Sequence, residues 1–301
     1  MRPEATGNFD LPFPLDLELT LSGYRRGPGD PTIRLSGREA WRAARTPAGA
    51  ASLHLCLEGS RLRATGWGPG ANWSVEHAPD LLGFGDEPQA FRPSNRLLHE
   101  LHRRHAGLRI GATGLVFEAL LPTVLEQKVP GIEAWSAYAR LVRTLGEPAP
   151  GDVGLCLQPT PRRLLETPYW AAHRFGIERR RFSVIQHAAS YAAQLERAAT
   201  LPASNSRAML MSLPGVGPWS AAEVSVVALG DRDAVSVGDY HLPHQVAWAL
   251  AGEPRASDAR MLELLEPYRG HRARVIKLLT LGGIQAPRFG PRMRLRRIAR
   301  I

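Results

Sequence analysis

The sequence predicts an α+β protein, a small N-terminal antiparallel β-sheet domain followed by an all-helical domain. Apolar residues recur at every second position through parts of the first ninety residues, and at helical spacing from about Ser94 onward. Pro88 and Pro93 punctuate the change and mark the junction. The 301 residues suffice for two such units, because single hydrophobic cores stop growing near ~250–300 residues. The expected division is a β-rich domain over residues 1–90, a helical domain over 91–287 and an arginine-rich tail over 288–301.

Each element follows from local pattern. Leu15-Asp16-Leu17-Glu18-Leu19-Thr20-Leu21 alternates apolar and polar, as a half-buried strand does, and Gly27-Pro28-Gly29-Asp30-Pro31 marks a loop. Residues 38–45 fit helix or strand equally. Residues 52–58 and 61–65 alternate on either side of Gly59-Ser60, which predicts a hairpin. Trp67 to Gly70 forms a Gly/Pro-rich patch. In the second part, Ser94 is the expected cap of a helix containing Leu97, Leu98 and Leu101. Phe117, Leu120, Leu121, Val124 and Leu125 form an apolar stripe. Helices are expected over 134–145, closed by Gly146, then over 181–195, 221–229, 257–265 with Ser257 as cap, and 272–281.

Composition narrows the function. Hydrophobic residues at 44% and charged residues at 22% are ordinary globular usage. Cys56 and Cys156 are too few for a four-thiolate iron–sulfur cluster, a zinc finger or a disulfide framework. No apolar run approaches the ~20 residues of a membrane span, and the start lacks the pattern of a secretion signal. The expected location is therefore cytoplasmic, at the nucleoid if the protein is bacterial. Basic residues number 38 against 28 acidic ones, and ten of the basic ones follow Glu266, after which no acid occurs. A cationic end of this kind suits a phosphate backbone or is simply a solvated tail.

The stretch Leu213-Pro214-Gly215-Val216-Gly217-Pro218-Trp219-Ser220-Ala221, followed by Asp233-Ala234-Val235-Ser236-Val237-Gly238-Asp239-Tyr240, is the most informative. Two glycines one residue apart let the backbone take positive φ and approach a surface that a Cβ would block. N–H groups at the start of the following helix then suit a phosphate, a contact that fixes position without reading sequence. No strand precedes the hairpin and a third glycine is missing, so it is not a dinucleotide-binding fingerprint.

Taken together these motifs resemble the helix-hairpin-helix DNA glycosylases, and within them the 3-methyladenine DNA glycosylase II branch. Leu125-Glu126-Gln127-Lys128-Val129 looks like the element that this branch inserts into DNA. Pro159-Thr160-Pro161 through Phe175-Gly176-Ile177 to Arg181 is similar to its next segment, and the β-rich start fits its extra domain. The likeness spans residues 90–280 well and 1–90 loosely.

The resemblance makes Asp239 the expected catalytic residue. Departure of a base leaves an oxocarbenium-like sugar, which a carboxylate stabilises while orienting a water on the opposite face. Either role needs the ionised form, which a helix starting at Tyr240 would favour. A plain N-cap is the other reading of an aspartate here. Trp219 stands where bifunctional relatives place a lysine that attacks the sugar, so the resemblance implies release by water, without a lyase step. Trp219 and Tyr240 keep two aromatic positions of the family's base pocket, while Glu223 and Lys277 occupy a third and fourth. An ion pair between those two, or contact of Glu223 with a cationic base, is expected. Gly215, Val216, Gly217 and Ser220 would hold DNA phosphates, and Gln127 and Lys128 would probe the duplex. His241 and His244 read as helix surface, and Asp231 and Asp233 as loop. No organic cofactor is implied, although a sodium or potassium ion on the backbone carbonyls of Leu213 and Val216 is expected from the family. The expected partner is double-stranded DNA containing a damaged base, bound by a monomer. The expected activity is that of a monofunctional glycosylase of base excision repair on alkylated bases of the 3-methyladenine and 7-methylguanine type. A deaminated or oxidised base is the alternative substrate, and a non-catalytic DNA-damage-binding protein the alternative class.

Overall fold

The computed structural model describes residues 2–287, and the expected tail over 288–301 lies outside them. The N-terminal part is a five-stranded sheet of β1 (Ala5–Asp10), β2 (Ile33–Ser36), β3 (Glu39–Thr46), β4 (Gly49–Glu58) and β5 (Arg61–Trp67). Its order is β1-β5-β4-β3-β2, with every neighbouring pair antiparallel. The predicted hairpin through Gly59-Ser60 is β4–β5, with Glu58 opposite Arg61 and Ser52 opposite Trp67. Residues 38–45, ambiguous in sequence, fall in β3. Leu53, Leu55 and Leu57 of β4 and Leu62 and Ala64 of β5 bury the sheet's inner face against Leu17, Leu21, Val75, Ala78, Leu81 and Leu82.

The strand expected over Leu15 to Leu21 is instead the short helix Leu17–Leu21. The Asp16 carboxylate accepts the Leu19 N–H at 2.8 Å, and this cap outweighs a two-residue alternation. Leu17 and Leu21, four residues apart, then face the sheet together.

Among the described residues the remainder is helical apart from connecting loops and a two-residue strand pair, Glu147–Pro148 with Cys156–Leu157. Asn95, not Ser94, caps the helix Arg96–Arg104, its side chain accepting the Leu98 N–H. The helix expected over 181–195 breaks at Tyr191 into Arg179–Ser190 and Ala192–Leu195. Two hydrophobic cores divide this half. One gathers the helices Val116–Glu126, Gly131–Leu145, Arg179–Ser190 and Pro218–Leu229. The other joins Phe91, Leu98, Leu101 and Leu108 to Leu242, Val246, Met261, Leu265, Val275, Leu278 and Leu279, and so recruits both ends of the helical region. The Arg274 guanidinium, wholly buried, donates to both carboxylate oxygens of Asp86, tying the helix Arg272–Leu281 to the N-terminal domain. Among the described residues no helix is long and apolar enough to cross a membrane.

Candidate active site

The hairpin is the turn between the helices Ala203–Met211 and Pro218–Leu229, closed by the Val216 N–H donating to the Leu213 carbonyl at 3.0 Å. Its two glycines serve different ends. Gly215 sits at φ +88°, and a Cβ there would lie 2.3 Å from the Val184 side chain. Gly217 is extended, at φ −99° and ψ −175°, and nothing lies within 4 Å of where its Cβ would be. Gly215 therefore makes the turn, and Gly217 leaves its outer side open. Val216 and Ser220 are buried, and the Val216 N–H is already given to Leu213, so of the two the Ser220 backbone N–H is the donor left for a phosphate.

Gln127 caps the end of the helix Val116–Glu126, and its side chain turns toward the hairpin. Its Nε2 donates to the Gly215 carbonyl and to Ser220 Oγ, each at 2.9 Å. In the free protein the Gln127 side chain therefore braces the hairpin. Lys128 beside it is exposed and held at φ +56°, a left-handed conformation uncommon outside glycine and asparagine.

The segment after the hairpin helix leads from the first helical core to the second. Val235 and Val237 pack on the latter, and Asp239 stands half-buried between the two. Asp239 Oδ2 accepts the Trp219 indole N–H at 3.0 Å, while Oδ1 accepts the His241 and Leu242 N–H groups at 2.8 and 2.9 Å. The helix begins at Leu242, two residues later than expected from Tyr240, and Oδ1 reaches forward to cap it. Cap and site are therefore one residue: three donors fix the carboxylate in a single orientation.

Glu223 follows Trp219 by one turn on the same face of the hairpin helix. Its Oε1 accepts the Ser236 hydroxyl. Burial pushes its carboxyl above the usual range, against the opposing pull of the Ser236 hydrogen bond and of Arg26; Glu126 and Asp239 add to the rise. The expected ion pair with Lys277 does not form. Lys277 lies toward Gly23, its charged neighbours are Arg274 and Asp86, and desolvation pushes its ammonium down to about 8. Tyr240 is 77% exposed and meets His241 edge-on, so it does not wall an enclosed space. The structure thus brings together Trp219, Glu223 and Asp239, with Gln127 bracing the hairpin beside them, and leaves Lys277 apart.

Sequence reasoning missed Arg26, Glu126, Trp135 and Ser236. Arg26 comes from the N-terminal domain, where its backbone N–H donates to the Asp30 carboxylate at 2.6 Å. The adjoining Gly27, at φ +78°, packs on Trp135 so closely that a Cβ would lie 2.9 Å from the ring. Arg26 Nη1 then stands 3.7 Å from Glu126 Oε1, which also accepts the Trp135 indole N–H at 3.2 Å. Arg26 and Trp135 stand outside every motif, while Glu126 and Ser236 lie within the informative stretches without any spacing that singles them out. Asp231 and Asp233 prove to be braces, pairing with Arg207 and Arg272. His244 Nδ1 accepts the Ala256 N–H, and among the described residues no His, Cys, Asp and Glu cluster can hold a metal.

No family model matches the chain, and no curated protein matches it in sequence. Solved structures do. A 3-methyladenine DNA glycosylase from Archaeoglobus fulgidus is 20% identical with a TM-score of 0.79, over 91% of this chain and 97% of that one. The Clostridium acetobutylicum 8-oxoguanine glycosylase/lyase, in complex with double-stranded DNA, is 13% identical with a TM-score of 0.65, over 93% and 97%. The Schizosaccharomyces pombe 3-methyladenine DNA glycosylase, in complex with abasic DNA, is 15% identical with a TM-score of 0.53, over 65% and 96%. The chain has the fold of the first two glycosylases over more than nine-tenths of its length and that of the third over 65% of it.

Proposed function

We propose that the protein is a monofunctional DNA glycosylase of base excision repair, which as a monomer flips an alkylated base out of duplex DNA and releases it to leave an abasic site. The observation that carries this reading is Asp239, fixed by Trp219 and the start of a helix, next to a hairpin whose Gly217 is open outward. A flipped nucleotide would place its C1′ over Asp239, whose carboxylate stabilises the oxocarbenium-like sugar and orients the attacking water. The glycosidic electron pair leaves with the base, and water supplies the new bond to C1′. Trp219 offers no amine, which supports hydrolysis over a lyase step. Backbone N–H groups of the hairpin and the helix start at Pro218 suit a DNA phosphate, and Lys128 stands exposed nearby. The Leu213 carbonyl receives one N–H and retains a second lone pair. With the Val216 carbonyl it would hold a sodium or potassium ion that anchors the turn to a phosphate. A deaminated or oxidised base is the second substrate reading.

The test is mass-spectrometric identification of every base released from methylated duplex DNA, with Asp239→Asn alongside. The reading expects 3-methyladenine or 7-methylguanine from the wild type and at least ~10²-fold slower release from the variant. Equal release by both would overturn the role of Asp239. No release from methylated, deaminated or oxidised DNA, with binding intact, would make the protein a damage binder.

A further inference from the structure

Base release by Asp239 leaves Glu223 without a task. It lies one turn from Trp219, its Oε1 is engaged by Ser236, and Oε2 accepts no hydrogen bond from any described residue. The charged groups facing it are Arg26 from the N-terminal loop, Glu126 from the end of the helix Val116–Glu126, and Asp239 from the loop ahead of the helix Leu242–Ala251. Arg26 is shared, since it also stands by Glu126 at 3.7 Å, and its buried Nε–H finds no acceptor. Glu223 therefore shares its cationic neighbour with Glu126 and has a further carboxylate, Asp239, beside it in a half-buried space. Such an excess of negative charge is costly to desolvate unless a cation enters.

We propose that Glu223 supplies the counter-charge for a cationic base, so that the site selects purines made positive by ring N-alkylation over neutral purines of the same size. This rests on the glycosylase reading above. The selectivity has two parts: an alkylpurinium ring gains a carboxylate partner, and a neutral ring leaves that carboxylate desolvated and unpaired. Because burial raises the Glu223 carboxyl, acid removes the counter-charge sooner than from an ordinary glutamate, and preference for the cation falls as the pH is lowered.

The experiment compares base release from duplexes carrying a single 7-methylguanine, cationic in DNA, or a single hypoxanthine, which is neutral. For the wild type and Glu223→Gln, the ratio of the two kcat/KM values is the readout. The expected result is a ratio about 10–100-fold lower in Glu223→Gln, the range for losing a charged hydrogen-bonding partner, with Glu223→Asp retaining part of it. An unchanged ratio, including equal loss on both bases, overturns the proposal and assigns Glu223 a structural role. Calorimetric binding of 7-methylguanosine against guanosine reads the same pairing without turnover. A wild type that releases neither base yet binds 7-methylguanosine better through Glu223 overturns the glycosylase reading and keeps the pairing. One that binds both nucleosides equally overturns the pairing.

Discussion

Replacing Asp86 by alanine is expected to be among the most destabilising single changes in the protein. Arg274 is wholly buried, and its guanidinium donates to both Asp86 oxygens while its Nε–H already lacks an acceptor. Asp86 also accepts the Ile110 N–H at 3.0 Å and stands 4.0 Å from Arg232. Removing the carboxylate thus strands one buried cation, frees a second and orphans a backbone donor. An uncompensated buried charge costs about 3–5 kcal/mol, a third or more of the ~5–15 kcal/mol that holds a typical domain folded. Removing both charges, as Asp86→Leu with Arg274→Met, should cost far less, because apolar replacement of a buried pair is often neutral. Urea unfolding is the assay. With m near ~3 kcal/mol/M the Asp86→Ala midpoint should fall by about 1 M or more, and the double variant should recover most of it. A single-variant shift under ~0.3 M, or a double variant no better than the single one, would refute the reasoning.

Three further outcomes follow from the hairpin and from Lys277. Gly215→Ala should destabilise by about 2–4 kcal/mol, since the new Cβ meets Val184 at 2.3 Å in a φ +88° backbone. Gly217→Ala should leave the urea midpoint in place yet weaken DNA binding about 10-fold by fluorescence anisotropy, because its outer side is open in the free protein. Lys277, pushed down to about 8 by desolvation, binds fewer protons folded than unfolded between about pH 8 and its ordinary value of 10.5. Its cost is therefore full below that window and relieved as pH rises through it. Lys277→Met should add roughly 1–3 kcal/mol at pH 7 and flatten the rise of thermal stability with pH.

What the sequence disclosed was whatever local pattern determines. The β4–β5 hairpin, the Gly215 turn and the Ser257 cap were legible from neighbours a few residues apart, whereas the pairing of Asp239 with Trp219, 20 residues before it, was implied by the family resemblance. The Leu17–Leu21 helix was not, because alternation and capping competed over seven residues and the Asp16 cap won. β2 carried too short a pattern to read, and β1 has a glycine, Gly7, at its centre. The site was legible in its chemistry and not in its partners. Gln127 meets a carbonyl 88 residues away, and Glu223 faces an arginine from another domain. Glu223 and Lys277 looked complementary on paper, yet each had charged neighbours of its own once the chain was folded.

The second helical core has a consequence for biosynthesis. It joins residues 91–108 to residues 242–279, and the Asp86–Arg274 bond closes a loop of 188 residues. A nascent chain emerges N-terminus first. The sheet of β1 to β5 can assemble early, but Asp86, Phe91, Leu98 and Leu101 await partners that the ribosome delivers near the end. Such distant closure is slow, so a half-made chain exposes that apolar face throughout most of its synthesis. A chain stopped before residue 272 would retain the hairpin and Asp239 and still present this face to chaperones and proteases, making Arg272–Leu281, the last described helix, the latch that commits the molecule to its folded state.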